Sequence, residues 1–304
     1  MGRVNTVQPI RMIEDRSRQF AVGFHGYGLY ASISARKGKT LRFRDKSAEG
    51  YTGGRSTGRA LSGAEDELIP NVEHVGAERA SITCRDRRSD SPYVSSIMRG
   101  RTLRDDSPTR PAEYHWHMVF VRKDGEVRVV FVGPWTTAGV AHYAEGAEIL
   151  WIKFKLGTFM PHLPAGRFLD TETVLPGASS RSFWLKGSAW ELPNHENAET
   201  FVDRLVHNGV LVRDPLVDTV LRGQLQGLSP RAVRHRFLRA TGLSQSRIRQ
   251  IERAQQAATL LQRGNPISDA VHEVGYFDQP HLTRSLKQWI GLTPAQILRS
   301  SAPG

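Results

Sequence analysis

The chain has 304 residues, room for two domains that each bury a core, and a formal net charge of +12. Its single cysteine, Cys84, excludes an internal disulfide framework and a multi-cysteine zinc site. No apolar run approaches a membrane span or a signal-peptide core, which implies a soluble, cytoplasmic protein with no membrane partner.

The charge is unevenly spread. Residues 1–110 carry 20 basic and 13 acidic groups, 111–214 carry 10 and 12, and 215–304 carry 12 and 5. Two basic arms therefore flank a mildly acidic centre, and basic surface attracts polyanions. Residues 1–111 scatter Gly, Ser and Arg with no sustained period of 2 or 3.6, so they read as a poorly ordered basic extension, with Met98 as a plausible alternative start.

At Ala112 the pattern changes. Glu113 to Arg122 is aromatic and β-branched, Lys123-Asp124-Gly125-Glu126 is a hairpin turn, and Val127 to Val132 is a return strand. Val140 to Tyr143 and Ile149 to Phe154 add two strands, Leu156 to His162 reads as a turn or two of helix, and Ala198 to Val206 is an amphipathic helix. Residues 112–205 thus predict an antiparallel, small barrel-like sensor or regulatory domain. His115 and His117 lie two apart on a predicted strand, a spacing that can present two metal ligands, but Val121 and Arg122 stand where a carboxylate ligand belongs.

Residues 206–300 read as all-α. One helix spans Pro215 to Gln226, and Ser244 caps a long helix with Ile248, Ile251, Ala254, Ala258 and Leu261 as its inward stripe. Around it lies a repeat of about forty-nine residues. Asp278 caps a short helix whose Leu282, Leu286 and Trp289 form an apolar stripe; Ser229 caps another with Val233, Phe237 and Ala240 in the same places. Gly242-Leu243-Ser244 answers Gly291-Leu292-Thr293. Each unit is a short helix with one face in a core and a cationic face outside, the pattern of a DNA recognition helix.

On these residues, 214–299 resembles the DNA-binding domain of AraC/XylS-type transcription regulators: Ile267 and Ala270, then Gly275-Tyr276-Phe277-Asp278, Leu282-x-Arg284-x-Leu286-Lys287, and Gly291-Leu292-Thr293-Pro294. Residues 112–205 resemble more weakly the β-rich sensor domains that precede this module in one branch of the family. The resemblance implies an α+β chain, β-rich first and then all-α with two helix-turn-helix units. The family often has two helices ahead of the first recognition helix; here there is space for one between Asp214 and Leu228.

Side-chain chemistry assigns roles on the two cationic faces. Arg231, Arg234 and Arg284 can each donate two hydrogen bonds to guanine O6 and N7. His235, Gln279, His281 and Thr283 are secondary readers, the last two also candidates for phosphate contacts, and Arg236, Arg239 and Lys287 suit phosphates. The expected function is sequence-specific transcription regulation, with both recognition helices in successive major-groove segments of a double-stranded operator. The alternative is a cupin-like metal-dependent enzyme fused to a DNA-binding domain. No catalytic residue, metal ligand set or cofactor is implied, and RNA polymerase, a small-molecule effector and a second copy of the chain stay open as partners.

Overall fold

In the computed structural model, residues 81–224 and 227–301 are described. The strands run β1 (Ile82–Arg88), β2 (Val94–Thr102), β3 (Thr109–Arg110), β4 (His117–Lys123), β5 (Glu126–Val132), β6 (Gly139–Val140), β7 (Glu148–Phe154), β8 (Thr158–Phe159), β9 (Glu172–Leu175), β10 (Gly177–Ser179), β11 (Ser182–Leu185) and β12 (Ser188–Glu191). Helix α1 (Ala198–His207) and strand β13 (Val212–Arg213) follow. The helical part then comprises α2 (Leu216–Leu221), α3 (Pro230–Thr241), α4 (Gln245–Gln262), α5 (Ile267–Glu273), α6 (Gln279–Trp289) and α7 (Pro294–Ser301). The α+β order read from the sequence, β-rich and then helical, is the architecture observed.

The principal sheet has six strands in the order β1-β2-β7-β4-β5-β9, all antiparallel. Its centre is β4, buried at five successive positions, His117 to Val121, because both faces are covered. Alternation sends Met118 and Phe120 to one face and Val119 and Val121 to the other. The first face packs on α1 through Phe201, Val202 and Leu205 and on β11 through Phe183 and Leu185. The second face, with Ile149 and Trp151, is covered by Ala141 and Tyr143. The β4–β5 hairpin turns at Asp124 and Gly125, both with positive φ (52° and 81°), the two-residue turn that Asp-Gly favours.

Four expectations need correction. The sheet does not close into a barrel: β1 and β9 are its two ends, and the second face is covered by short strands and loops rather than by a second sheet. The extension assigned to 1–111 is too long, since residues 82–110 supply β1, β2 and β3, and Val94 and Ile97 of β2 are fully enclosed; the rest of it, 1–80, lies outside the described residues. Met98 therefore falls inside a strand. Residues 206–213 belong to the β-rich part rather than the helical one, because Val210 and Leu211 sit in its core and β13 pairs with β8. Finally, Leu156 to His162 holds β8 and tight turns rather than a helix.

Candidate nucleic-acid interface

Each recognition helix begins on the cap the sequence provides. The Ser229 hydroxyl accepts the Ala232 N–H (3.3 Å), the Asp278 carboxylate accepts the His281 N–H (2.6 Å), and a proline follows within the first turn in both. Each ends near a glycine in the left-handed region, Gly242 at φ +78° and Gly291 at φ +85°. Between these ends, Val233, Phe237 and Ala240 in α3 and Leu282, Leu286 and Trp289 in α6 are buried. They share one core with the α4 stripe of Ile248, Ile251, Ala254, Ala258 and Leu261. Burying each Leu or Phe contributes roughly 1.5–3 kcal/mol, which fixes which face of the helix is left for a ligand.

That outer face carries most of the expected residues. Arg231, Arg234, His235 and Arg239 on α3 and Gln279, Arg284 and Lys287 on α6 are exposed, and Thr283 is half-buried beside them. Among the described residues none of Arg231, Arg234, Arg239, Arg284 and Lys287 is held in an ion pair, so their donors are available to a polyanion. His281 is half-buried at the start of α6, its ring edge-on to Tyr276 with centroids 5.1 Å apart. Arg236 is exposed as well, but it already holds a partner. Its guanidinium clasps Asp214 with two bonds (2.7 and 3.2 Å), which ties α3 to the segment ahead of α2.

The connecting helix braces the second unit. Arg247 stacks over Trp289 at 4.8 Å and Arg253 over Tyr276 at 5.0 Å, while the Tyr276 hydroxyl bonds Ser285 at 2.8 Å. A single helix, α2, precedes the first unit, as the spacing required.

The β-rich part seats the far end of both recognition helices. At α6 the Ala112 N–H donates to the Trp289 carbonyl (2.6 Å), the Ala138 N–H donates to the Gln288 carbonyl (2.9 Å), and the Gln255 amide reaches the Ala112 carbonyl (3.0 Å). The first two of these bonds occupy carbonyls that the last turn of a helix leaves unpaired. Gly291 is pressed there so closely that a Cβ on it would stand 2.5 Å from Thr109 Cγ2. At α3, Gly242 meets Leu169 and Ala165 in the same way, with a Cβ placed 3.0 Å from Leu169 Cδ2.

The two histidines of the metal reading go separate ways. His115 faces Glu113 (2.6 Å), whose other oxygen takes the Lys153 ammonium (2.8 Å), while His117 accepts the Trp151 indole N–H (2.6 Å). Burial alone would push the Glu113 carboxyl up, but Lys153 and His115 overcome it and hold the group well below the usual carboxylate range. Burial, with help from Lys153, lowers His115. Among the described residues no group of three His, Cys, Asp or Glu could hold a metal ion, and no helix is long and apolar enough to cross a membrane.

Sequence reading passed over two side chains at this surface. Phe277, immediately before the Asp278 cap, is 91% exposed, and Leu238 projects from the outer face of α3. Leu238 could have been found by helical phase, since it lies one turn beyond Arg234.

A family described as a helix-turn-helix domain, of the AraC type, matches residues 224–300. The HTH-type transcriptional regulator RipA of Corynebacterium glutamicum is 36% identical over 88 residues, 28% of this chain and 27% of RipA. The chain therefore matches about a quarter of that regulator's length. Two crystal structures of ToxT from Vibrio cholerae are also similar: one at TM-score 0.32 and 8% identity over 74% of this chain and 99% of ToxT, the other at TM-score 0.29 and 8% identity over 73% and 99%.

Proposed function

Since residues 224–300 are an AraC-type helix-turn-helix domain, we propose that the whole chain is a sequence-specific DNA-binding transcription regulator acting in the cytoplasm. In this reading α3 and α6 enter successive major-groove segments of one operator. The observation that carries it is the matched pair of capped helices with buried inner stripes and cationic outer faces, whose Arg231, Arg234, Arg239, Arg284 and Lys287 are in no ion pair among the described residues, with the continuous helix α4 between the two units. Successive groove segments lie roughly 34 Å apart, so reading both requires a stiff connector. Arg231, Arg234 and Arg284 are assigned to guanines; His235, Gln279, His281 and Thr283 assist, and Arg239 and Lys287 hold phosphates. The β-rich part, packed on both recognition helices, is the regulatory domain. An effector molecule, RNA polymerase and a second copy of the chain are the partners such a protein would meet.

Selection of bound fragments from random double-stranded DNA tests this. The expected motif has two parts about ten base pairs apart, with Arg234→Ala relaxing one part and Arg284→Ala the other, each at about 1–3 kcal/mol. A motif unchanged by either substitution, with affinity falling equally for all sequences, would reduce both arginines to phosphate contacts. A change confined to Arg284→Ala would leave α6 as the only reading helix.

A further inference from the structure

The reading face of α3 is not wholly polar. A helix lying along the major groove presents residues i, i+3, i+4 and i+7 to the bases. Counting from Arg231, these are Arg231, Arg234, His235 and Leu238. All four are exposed, opposite the buried Val233, Phe237 and Ala240. Leu238 is 48% exposed and is the one large apolar side chain that stands out into solvent on either recognition helix. In α6 the matching place, forty-nine residues on, is held by Lys287. The repeat therefore keeps the shape of the face but not its chemistry: Arg231, Arg234, His235 and Leu238 answer Pro280, Thr283, Arg284 and Lys287, and only at the last pair does an apolar side chain of α3 answer a charged one of α6.

A single exposed leucine is ordinary on a protein surface. What separates this one is its neighbourhood: basic groups precede it by three, four and seven residues and follow it by one, so a polyanion drawn to α3 must cover it. The base edges lining a major groove are hydrogen-bonding groups with one apolar exception, the C5 methyl of thymine. An uncharged branched side chain among arginines complements that methyl, the largest apolar group the groove offers.

We propose that Leu238 reads a thymine methyl in the half-site of the first unit, so that the two half-sites are recognised by different chemistry at their matching positions. This rests on the reading that α3 enters the groove. It makes the operator asymmetric and gives the chain one orientation on it.

The test uses the full chain and the site it selects. Each thymine of the α3 half-site is replaced singly by deoxyuridine, which removes only the methyl. One replacement should weaken binding roughly 3- to 5-fold, the worth of about one buried methyl group. The same replacement should have no further effect on Leu238→Ala, whose thermal melt should match the parent. Indifference of the parent to every uracil in that half-site would overturn the proposal, as would a uracil effect that persists undiminished in Leu238→Ala. If the chain selects no two-part site, the groove-reading assignment itself fails, an outcome distinct from selection without methyl sensitivity.

Discussion

Replacing Leu286 by alanine should unfold the second recognition unit at a much lower temperature, whereas Lys287→Ala, one residue along, should leave its stability unchanged. Leu286 is completely enclosed and shares its core with Ile251, Ala254 and Trp289. Truncating such a leucine costs about 2–5 kcal/mol, the lost transfer energy plus the cavity that remains. Its carbonyl receives the Ile290 and Gly291 N–H groups (2.7 and 2.9 Å), contacts that alanine would keep, so the loss is one of packing alone. For a domain of this size each kcal/mol shifts the melting temperature by about 4–8 °C, so a mid-range loss of about 3 kcal/mol predicts a fall of about 12–24 °C. Lys287 is exposed, and its substitution should stay within about 0.5 kcal/mol while lowering the salt slope of DNA binding by about 1. Far-ultraviolet circular dichroism melts, with binding titrations at two salt concentrations, measure both. Equal melting temperatures for the two variants would show that the inward and outward faces of α6 have been exchanged.

A chain beginning at Met98 should melt well below one beginning at residue 81, because it lacks β1 and the enclosed Val94 and Ile97 and leaves Ile152 to Phe154 of β7 without their β2 partners; identical melts would mean the missing segment contributes nothing to the fold. Stability should also fall as the pH drops below about 6.5: burial lowers His115, so the unfolded chain binds its proton first and the cost grows until the folded pKa is reached. In melts across pH 7.5 to 5.5, His115→Gln should flatten part of this decline and leave the share of His162 and His195, which burial also lowers; an unaltered slope would exclude His115 as a contributor.

The helical half was legible because its information is local. Caps, a 3.6-residue period and a repeated register state the elements and their outward faces, and Ser229, Asp278 and Leu286 behave as their spacing demands. The β-rich half was legible only where alternation or a turn dipeptide marks it, as at Asp124-Gly125. Strand β1 escaped because it is an edge strand, exposed at four central positions and charged at four of its seven residues. Alternation assigns residues to faces but does not say whether a sheet closes, and so the barrel was overdrawn. The pairing of Arg236 escaped because its partner, Asp214, lies 22 residues away in sequence. The seat under α6 is made by main-chain groups of Ala112 and Ala138, which no side-chain pattern encodes.

That seat bears on how the two reading helices are held. The connector α4 sets their separation, but each helix also rests by its terminal glycine on the β-rich domain, and the two rests differ in kind. Beneath α6 two main-chain hydrogen bonds and the Gln255 amide fix direction as well as distance, because such bonds weaken steeply when misaligned. Beneath α3 the neighbours of Gly242 are Leu169 and the Ala165 side chain and backbone, and van der Waals contacts of that kind lack the directional preference of a hydrogen bond. Arg236 anchors α3 from its other side, yet to Asp214, which itself lies at the junction between β13 and α2. The second recognition helix is therefore tied to that domain by main-chain bonds at its own end, and the first by glycine packing and through Arg236 to Asp214, whose N–H donates to the Gly157 carbonyl at 2.9 Å.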